Sequence, residues 1–170
     1  MRLRPLELKD AEHMIEWMHD PSVVGCLQND FLSKTIEDCK SFIGISSADK
    51  KNMHLAIVDN LDEYMGTVSL KHIKNGSAEF AIVIRKIAMG KGFSKAAMEQ
   101  IIRIGFDELK LNRIYWCVSP DNLRALNFYD KNGYIRVPYE ELTIEHYTPE
   151  QIDRFIWYCI TRSSDLHKED

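Results

Sequence analysis

Lys91 stands between two glycines, Gly90 and Gly92, in the run "MGKGFS" from Met89 to Ser94. An apolar stretch rich in β-branched residues, "SAEFAIVIR" (Ser77 to Arg85), precedes that run, and a helical pattern follows it. Strand, glycine loop and helix in that order make an anion site. The first N–H groups of a helix have no partner within it and carry part of a positive charge. Glycines let a phosphate oxygen come close to the main chain. Lys91 and Ser94 could add a charge and a hydroxyl. Two familiar phosphate motifs fail. The GxxxxGK[ST] loop needs Lys after its last glycine, and Phe93 follows Gly92. The GxGxxG fingerprint needs a third glycine where Lys95 stands. From this stretch alone, a plain turn and a phosphate cradle both fit.

Two other side chains invite chemistry. Glu79 interrupts the apolar strand pattern and alternates onto one face with Ala81 and Val83. A carboxylate there must be paired, open to water at a sheet edge, or functional. Downstream, "NLRALNFYDKNGY" (Asn122 to Tyr134) places Tyr129 on a short amphipathic helix, where a tyrosine taken alone reads as core.

The elements that would position these residues follow from periodicity. Strands are expected over Arg2 to Leu8, Met53 to Asp59, Tyr64 to Leu70, Ser77 to Arg85 and Arg113 to Ser119. "YIRVPYE" and "DRFIWYCIT" are read as two closing strands. A first helix capped by Asp10 carries Ala11, Met14, Ile15 and Met18 on one face. A second opens at Thr35, with Asp38 in capping-box spacing. The third runs from about Lys91 to Leu109, and a fourth is capped by Asp121 or Asn122 and stopped by Gly133. The order β α α β β β α β α β β, with a meander in the middle, predicts a mixed α/β (α+β) fold. With 170 residues and no repeat or linker, residues 1–170 are expected to form one domain.

The two stretches together resemble the GNAT family of N-acetyltransferases. Its phosphate loop usually reads [RQ]xxGx[GA], matched here by "MGKGFS", and its second motif is close to NxxAxxFYxKxGF. "NLRALNFYDKNGY" agrees with the latter at Asn122, Ala125, Phe128, Tyr129, Lys131 and Gly133. The opening "LRPLELKDAEHMIEWMHDP" is similar to the branch of ribosomal-protein N-terminal, polyamine and amino-sugar acetyltransferases. Met89 replaces the usual Arg or Gln, and Ser94 the usual Gly or Ala.

The resemblance implies a mixed, mostly antiparallel central sheet with helices on both faces. It implies direct transfer of acetyl from acetyl-CoA to a primary amine, with an amino sugar or polyamine as the leading acceptor. A protein N-terminus is the alternative acceptor, and a non-catalytic acyl-CoA sensor the alternative class. Glu79 matches a base position, and Tyr129 the tyrosine that protonates the departing thiolate. Gly90, Lys91, Gly92, Phe93 and Ser94, with Met89 at the edge, would hold the pyrophosphate. The splayed strand at Ile82, Val83 and Ile84 would line the arm and lend an N–H to the oxyanion, and Asn122 would touch the same arm.

Composition bounds the rest. A net charge of -4 and a pI near 5.9 disfavour a nucleic-acid partner. No run is apolar for the eighteen or so residues a membrane helix needs. Four scattered cysteines and no secretion signal at the start point to reduced thiols in the cytoplasm. The six histidines show no ligand spacing, so no metal is expected. Cys117 reads as a small buried hydrophobe, and Trp17, Trp116 and Trp157 as packing. "EELTIEHYTPEQ" (Glu140 to Gln151) reads first as a solvated connector, and second as an acceptor-side wall with Glu140, Glu141 and Glu145 facing a cation. "CLQNDFLSK" (Cys26 to Lys34) is an acceptor-side loop. The β-rich C-terminal end could support a homodimer.

Overall fold

A computed structural model describes residues 1–142 and 144–162. Six strands form one sheet in chain order: β1 (Arg2–Pro5), β2 (Met53–Val58), β3 (Tyr64–Lys74), β4 (Ser77–Ile84), β5 (Arg113–Val118) and β6 (Ile156–Thr161). Every neighbouring pair is antiparallel except β4 and β5, which run parallel. The parallel pair is joined through helix α4 (Phe93–Arg103), as a parallel connection requires.

Alternation along the strands sorts side chains to two faces. Ala78, Phe80 and Ile84 of β4 join Ile114, Trp116 and Val118 of β5 under α4 and α5 (Leu123–Lys131). On the other face, α1 (Ala11–Met18), α2 (Pro21–Val24) and α3 (Ile36–Ser46) cover β2 and β3 around Met14, Trp17, Ile43, Ala56 and Tyr64. Val83 packs on that side, as its parity with Glu79 requires. The expected sheet with helices on both faces is therefore found.

The ends of the elements follow local chemistry. Thr35 and Asp38 form the capping box of α3. Asn122 caps α5 by accepting from the Ala125 N–H at 3.2 Å, and Gly133 turns the chain beyond it at φ +75°. The third expected helix is α4, which begins at Phe93 and continues past Arg103 as a π-turn over Ile104–Glu108.

Three expectations are corrected. Asp10 does not cap α1 through its side chain. Its carboxylate is buried and takes both Nη atoms of Arg4 at 2.8 Å, so a stronger partner has claimed it. "YIRVPYE" is not a strand. Pro138 has no N–H to give, and only an isolated bridge, Arg136 with Tyr158, remains before a 3-10 turn at Tyr139–Glu141. The last strand begins at Ile156, because Thr148 and Gln151 form a capping box that opens a short helix α6 (Pro149–Arg154).

Gly66 lets β3 approach β4 closely. A Cβ there would lie 2.3 Å from the Val83 carbonyl oxygen and 3.1 Å from the Ile84 Cα. Gly66→Ala is expected to lower stability by about 1–3 kcal/mol through overpacking, measured by urea unfolding. A change within 0.5 kcal/mol, the usual range for a neutral surface position, would mean that the strands do not need this contact.

Candidate active site

The site begins where a ladder ends. β4 and β5 pair only at Ser77–Arg113, Ala78–Ile114 and Glu79–Tyr115. Beyond Glu79 the two strands separate, and Phe80 to Ile84 pair with β3 alone. Parallel strands that part in this way leave a wedge-shaped gap lined by unpaired backbone groups, the kind that seek partners. Glu79 sits at its apex. Ile82, Val83 and Ile84 lie along its β4 wall, where the sequence expectation placed them.

The mouth of the gap leads to the glycine loop. Gly90 and Gly92 both adopt left-handed backbone, at φ +74° and +84°. Non-glycine residues rarely adopt that conformation. A Cβ at either would meet nothing within 4 Å, so the space beside the loop is open. No side chain caps the N-terminus of α4, whose first N–H groups have no acceptor in the helix. Lys91 is exposed, while Phe93 and Ser94 are half-buried at the first turn. Glycine conformation, open space and free N–H groups together fit a pyrophosphate. Met89 is half-buried beside the loop, and Arg124 of α5 donates to its sulfur at 2.9 Å. A cation the sequence reading missed therefore stands beside the residue that departs from the motif.

Tyr129 is buried in an aromatic cluster. Its ring centroid lies 5.2 Å from those of Trp116, Phe128 and Tyr158. Burial pushes its hydroxyl well above the ordinary tyrosine range. Trp116, on β5 at the gap, has a buried indole N–H without a partner among the described residues. A buried donor left unpaired is costly, and a ligand carbonyl would satisfy it.

Glu79 is buried at 4% exposure, on the face away from α4 and α5. That excludes the open sheet edge. Its Oε1 accepts from Lys71 Nζ at 3.1 Å and from the Tyr147 hydroxyl at 2.9 Å, and its Oε2 lies 2.8 Å from His146 Nε2. His72 Nε2 is 3.7 Å from the same Oε2, and the two imidazole rings stack at 3.7 Å. Burial alone would raise the Glu79 pKa. The Lys71 charge and the hydrogen bonds from His146, Lys71 and Tyr147 outweigh it, so the carboxyl lies below its ordinary range. Burial lowers the His72 pKa and favours the neutral ring.

Lys71 and His72 were not singled out from the sequence, nor were His146 and Tyr147. His72 takes an unusual φ of +52° where the β3–β4 register slips, which turns it toward Glu79. His146 and Tyr147 come from the segment that read first as a solvated connector. That segment folds over Glu79, with Glu145 tied to Lys74 at 2.7 Å. Cys117 is not plain core. It is half-buried, donates to Tyr147 at 3.6 Å and accepts from Gln28 Nε2 at 3.2 Å, which brings the Cys26 to Lys34 loop to the same face. All three tryptophans are buried, as expected.

His72, Glu79 and His146 bring their ligand atoms within 4.8 Å of one another, which no linear spacing reveals. A cation there would face the Lys71 ammonium on the same carboxylate, so the cluster suits protons better than a metal. No helix among the described residues is long and apolar enough to cross a membrane.

A sequence profile described as the acetyltransferase (GNAT) domain matches residues 1–135. The chain is 31% identical to the uncharacterised N-acetyltransferase p20 of Bacillus licheniformis over 80% of this chain and 82% of that one. It is 28% identical to the spermidine N(1)-acetyltransferase of Escherichia coli over 79% of this chain and 72% of that one. The spermidine N-acetyltransferase of Vibrio cholerae, solved with CoA and spermine, superposes with a TM-score of 0.80 at 22% identity, covering 97% of each chain. The split sheet, the open glycine loop and this profile match agree: the chain belongs to the GNAT family and is an acetyl-CoA-dependent N-acetyltransferase.

Proposed function

We propose that the acceptor is the primary amine of a small molecule, with polyamines the leading class and amino sugars next. The observation that carries this reading is the buried Glu79 cluster at the apex of the gap, where an ammonium can lose a proton beside the acetyl carbonyl. The resemblance to spermidine acetyltransferases of two organisms supports the polyamine choice.

Acetyl-CoA supplies the acyl group as a thioester. The loop from Gly90 to Ser94 would hold its pyrophosphate through main-chain N–H groups, with Arg124 adding a charge across from Met89. Ile82, Val83 and Ile84 would line the arm, and an N–H at Val83 or Ile84 would polarise the acetyl carbonyl. Asn122 serves first as the α5 cap, and its amide nitrogen would be free to meet the arm. Tyr129, whose buried hydroxyl holds its proton firmly, would donate a hydrogen bond to the departing thiolate. The Glu79 cluster would receive the amine's proton.

Thiol release with spermidine, spermine, glucosamine and short peptides as acceptors tests the class. Polyamines are expected to be turned over fastest. A preference for peptides would replace the proposal with N-terminal acetylation. Glu79→Gln and Tyr129→Phe are each expected to lower kcat by about 10²-fold while acetyl-CoA binding stays. Unchanged turnover would remove that residue from the mechanism. Arg124→Ala is expected to weaken acetyl-CoA about 10-fold, the worth of a charge-assisted hydrogen bond, by calorimetry. An unchanged Kd would leave the backbone loop as sufficient.

Glu79 also sets a pH dependence of stability. Its folded pKa lies below the unfolded value of about 4.3, so its contribution is present above that pH. It is lost as pH falls through the folded pKa. Glu79→Gln should flatten the acid limb of Tm against pH. A limb identical to that of the wild type would show that the carboxylate is not held as described.

A further inference from the structure

We infer that His146, through Nδ1, is the group that receives the amine's proton, and that Glu79 acts through it as a positioning residue. This rests on the proposal that the Glu79 cluster handles that proton. Glu79 cannot easily receive it directly. Three of its roughly four acceptor positions are taken, by Lys71 and Tyr147 on one oxygen and His146 on the other, and the side chain is 5% exposed. An incoming amine meets a group already bonded to the carboxylate. Lys71 is a cation and has no acceptor to offer. The Tyr147 hydroxyl is raised far above its ordinary range by burial and by the nearby Cys117 and Glu79, so it is a donor there. His72 lies 3.7 Å from the carboxylate, beyond hydrogen-bond length.

His146 differs from all three. With Glu79 ionised, its Nε2 carries the hydrogen and donates to Oε2 at 2.8 Å. That fixes the tautomer and leaves a lone pair on Nδ1. No described residue bonds Nδ1. The side chain is 24% exposed and lines a cavity of about 930 Å³ with His72, Tyr115, Lys74 and Glu145. A carboxylate behind an imidazole whose far nitrogen is free is the arrangement of a base with its orienter. Stacking on the half-exposed His72 ring holds the plane of His146. The step balances. The ammonium N–H bond breaks, its proton joins Nδ1, and the freed lone pair attacks the acetyl carbonyl. The imidazolium is stabilised by the Glu79 carboxylate, and Nδ1 then returns the proton to water in the cavity.

The test uses the full-length enzyme and the acceptor that the panel turns over fastest. His146→Ala is expected to lower kcat by about 10²-fold or more, with the acetyl-CoA Kd unchanged. Added imidazole should restore turnover in proportion to its concentration, and should restore nothing in Glu79→Gln. His146→Gln, whose amide can still donate to Glu79, guards against misfolding and should be as slow as the alanine variant. If both His146 variants keep kcat within a few-fold while Glu79→Gln is slow, Glu79 itself takes the proton. This inference then falls while the cluster assignment stands. If Glu79→Gln is also fast, the cluster assignment falls with it. A loss in His146→Ala that imidazole leaves unrestored, with a lowered Tm, makes His146 structural and overturns the inference.

Discussion

The parting of β4 from β5 after the Glu79–Tyr115 pair is the constraint on which the rest of the molecule depends. A sheet that stayed paired would consume the main-chain groups of Phe80 to Ile84 and leave no slot for an extended ligand. Parallel pairing makes the split affordable in topology. The connection from β4 to β5 must leave the sheet and return through a helix, so the helix start necessarily falls beside the open end of β4. The uncapped N–H groups at the start of α4 and the gap are therefore one consequence of chain direction. The glycines at 90 and 92 adapt that corner to close approach.

The same split explains why a carboxylate can be buried. Glu79 is the last residue of β4 with partners on both sides, so neighbours on β3 and β5 surround it. An isolated buried carboxylate would neutralise itself. Here Lys71, directly across the β3 pairing, provides the opposite charge, and Tyr147 and His146 add a hydrogen bond to each oxygen. The cluster closes only because a loop from the far end of the chain folds over β5 and packs Tyr147 against Trp157 at 5.3 Å.

Legibility in the sequence follows the range of the interactions. The meander, α3 and α5 were readable because period, caps and turns are encoded within a few residues of one another. The glycine loop and Tyr129 were readable as motifs. Asp10 was misread because its partner, Arg4, lies on the strand before it and outbids the local cap. "YIRVPYE" looked like a strand by alternation, but Pro138 and the turn after it leave β6 a single bridge. The segment from Glu140 to Gln151 looked like a connector because of its acidic residues, while its His146 and Tyr147 do the bonding. His72 lies just past the expected strand Tyr64 to Leu70, where nothing in the sequence hints at the positive φ that aims it. The placing of His146, Tyr147 and His72 depends on contacts more than sixty residues distant or on a register slip, and neither is written in a window of sequence.

Met89 raises the last question, because a loop that has lost its usual cation or amide should bind a pyrophosphate less well. The loss is bounded by how the loop works. A loop of this kind holds an anion mainly through main-chain N–H groups, and Met89 changes none of them. A methionine can also lie flat along the loop, and its sulfur accepts from Arg124 at 2.9 Å. The charge is thus displaced by one side chain rather than removed: it reaches the loop from α5 instead of from the loop itself. That placement ties the glycine-loop corner to α5, the helix that bears Tyr129. Reading position 89 alone as a defect misses this, because the function of a motif residue can be carried by any side chain that the fold brings to the same point.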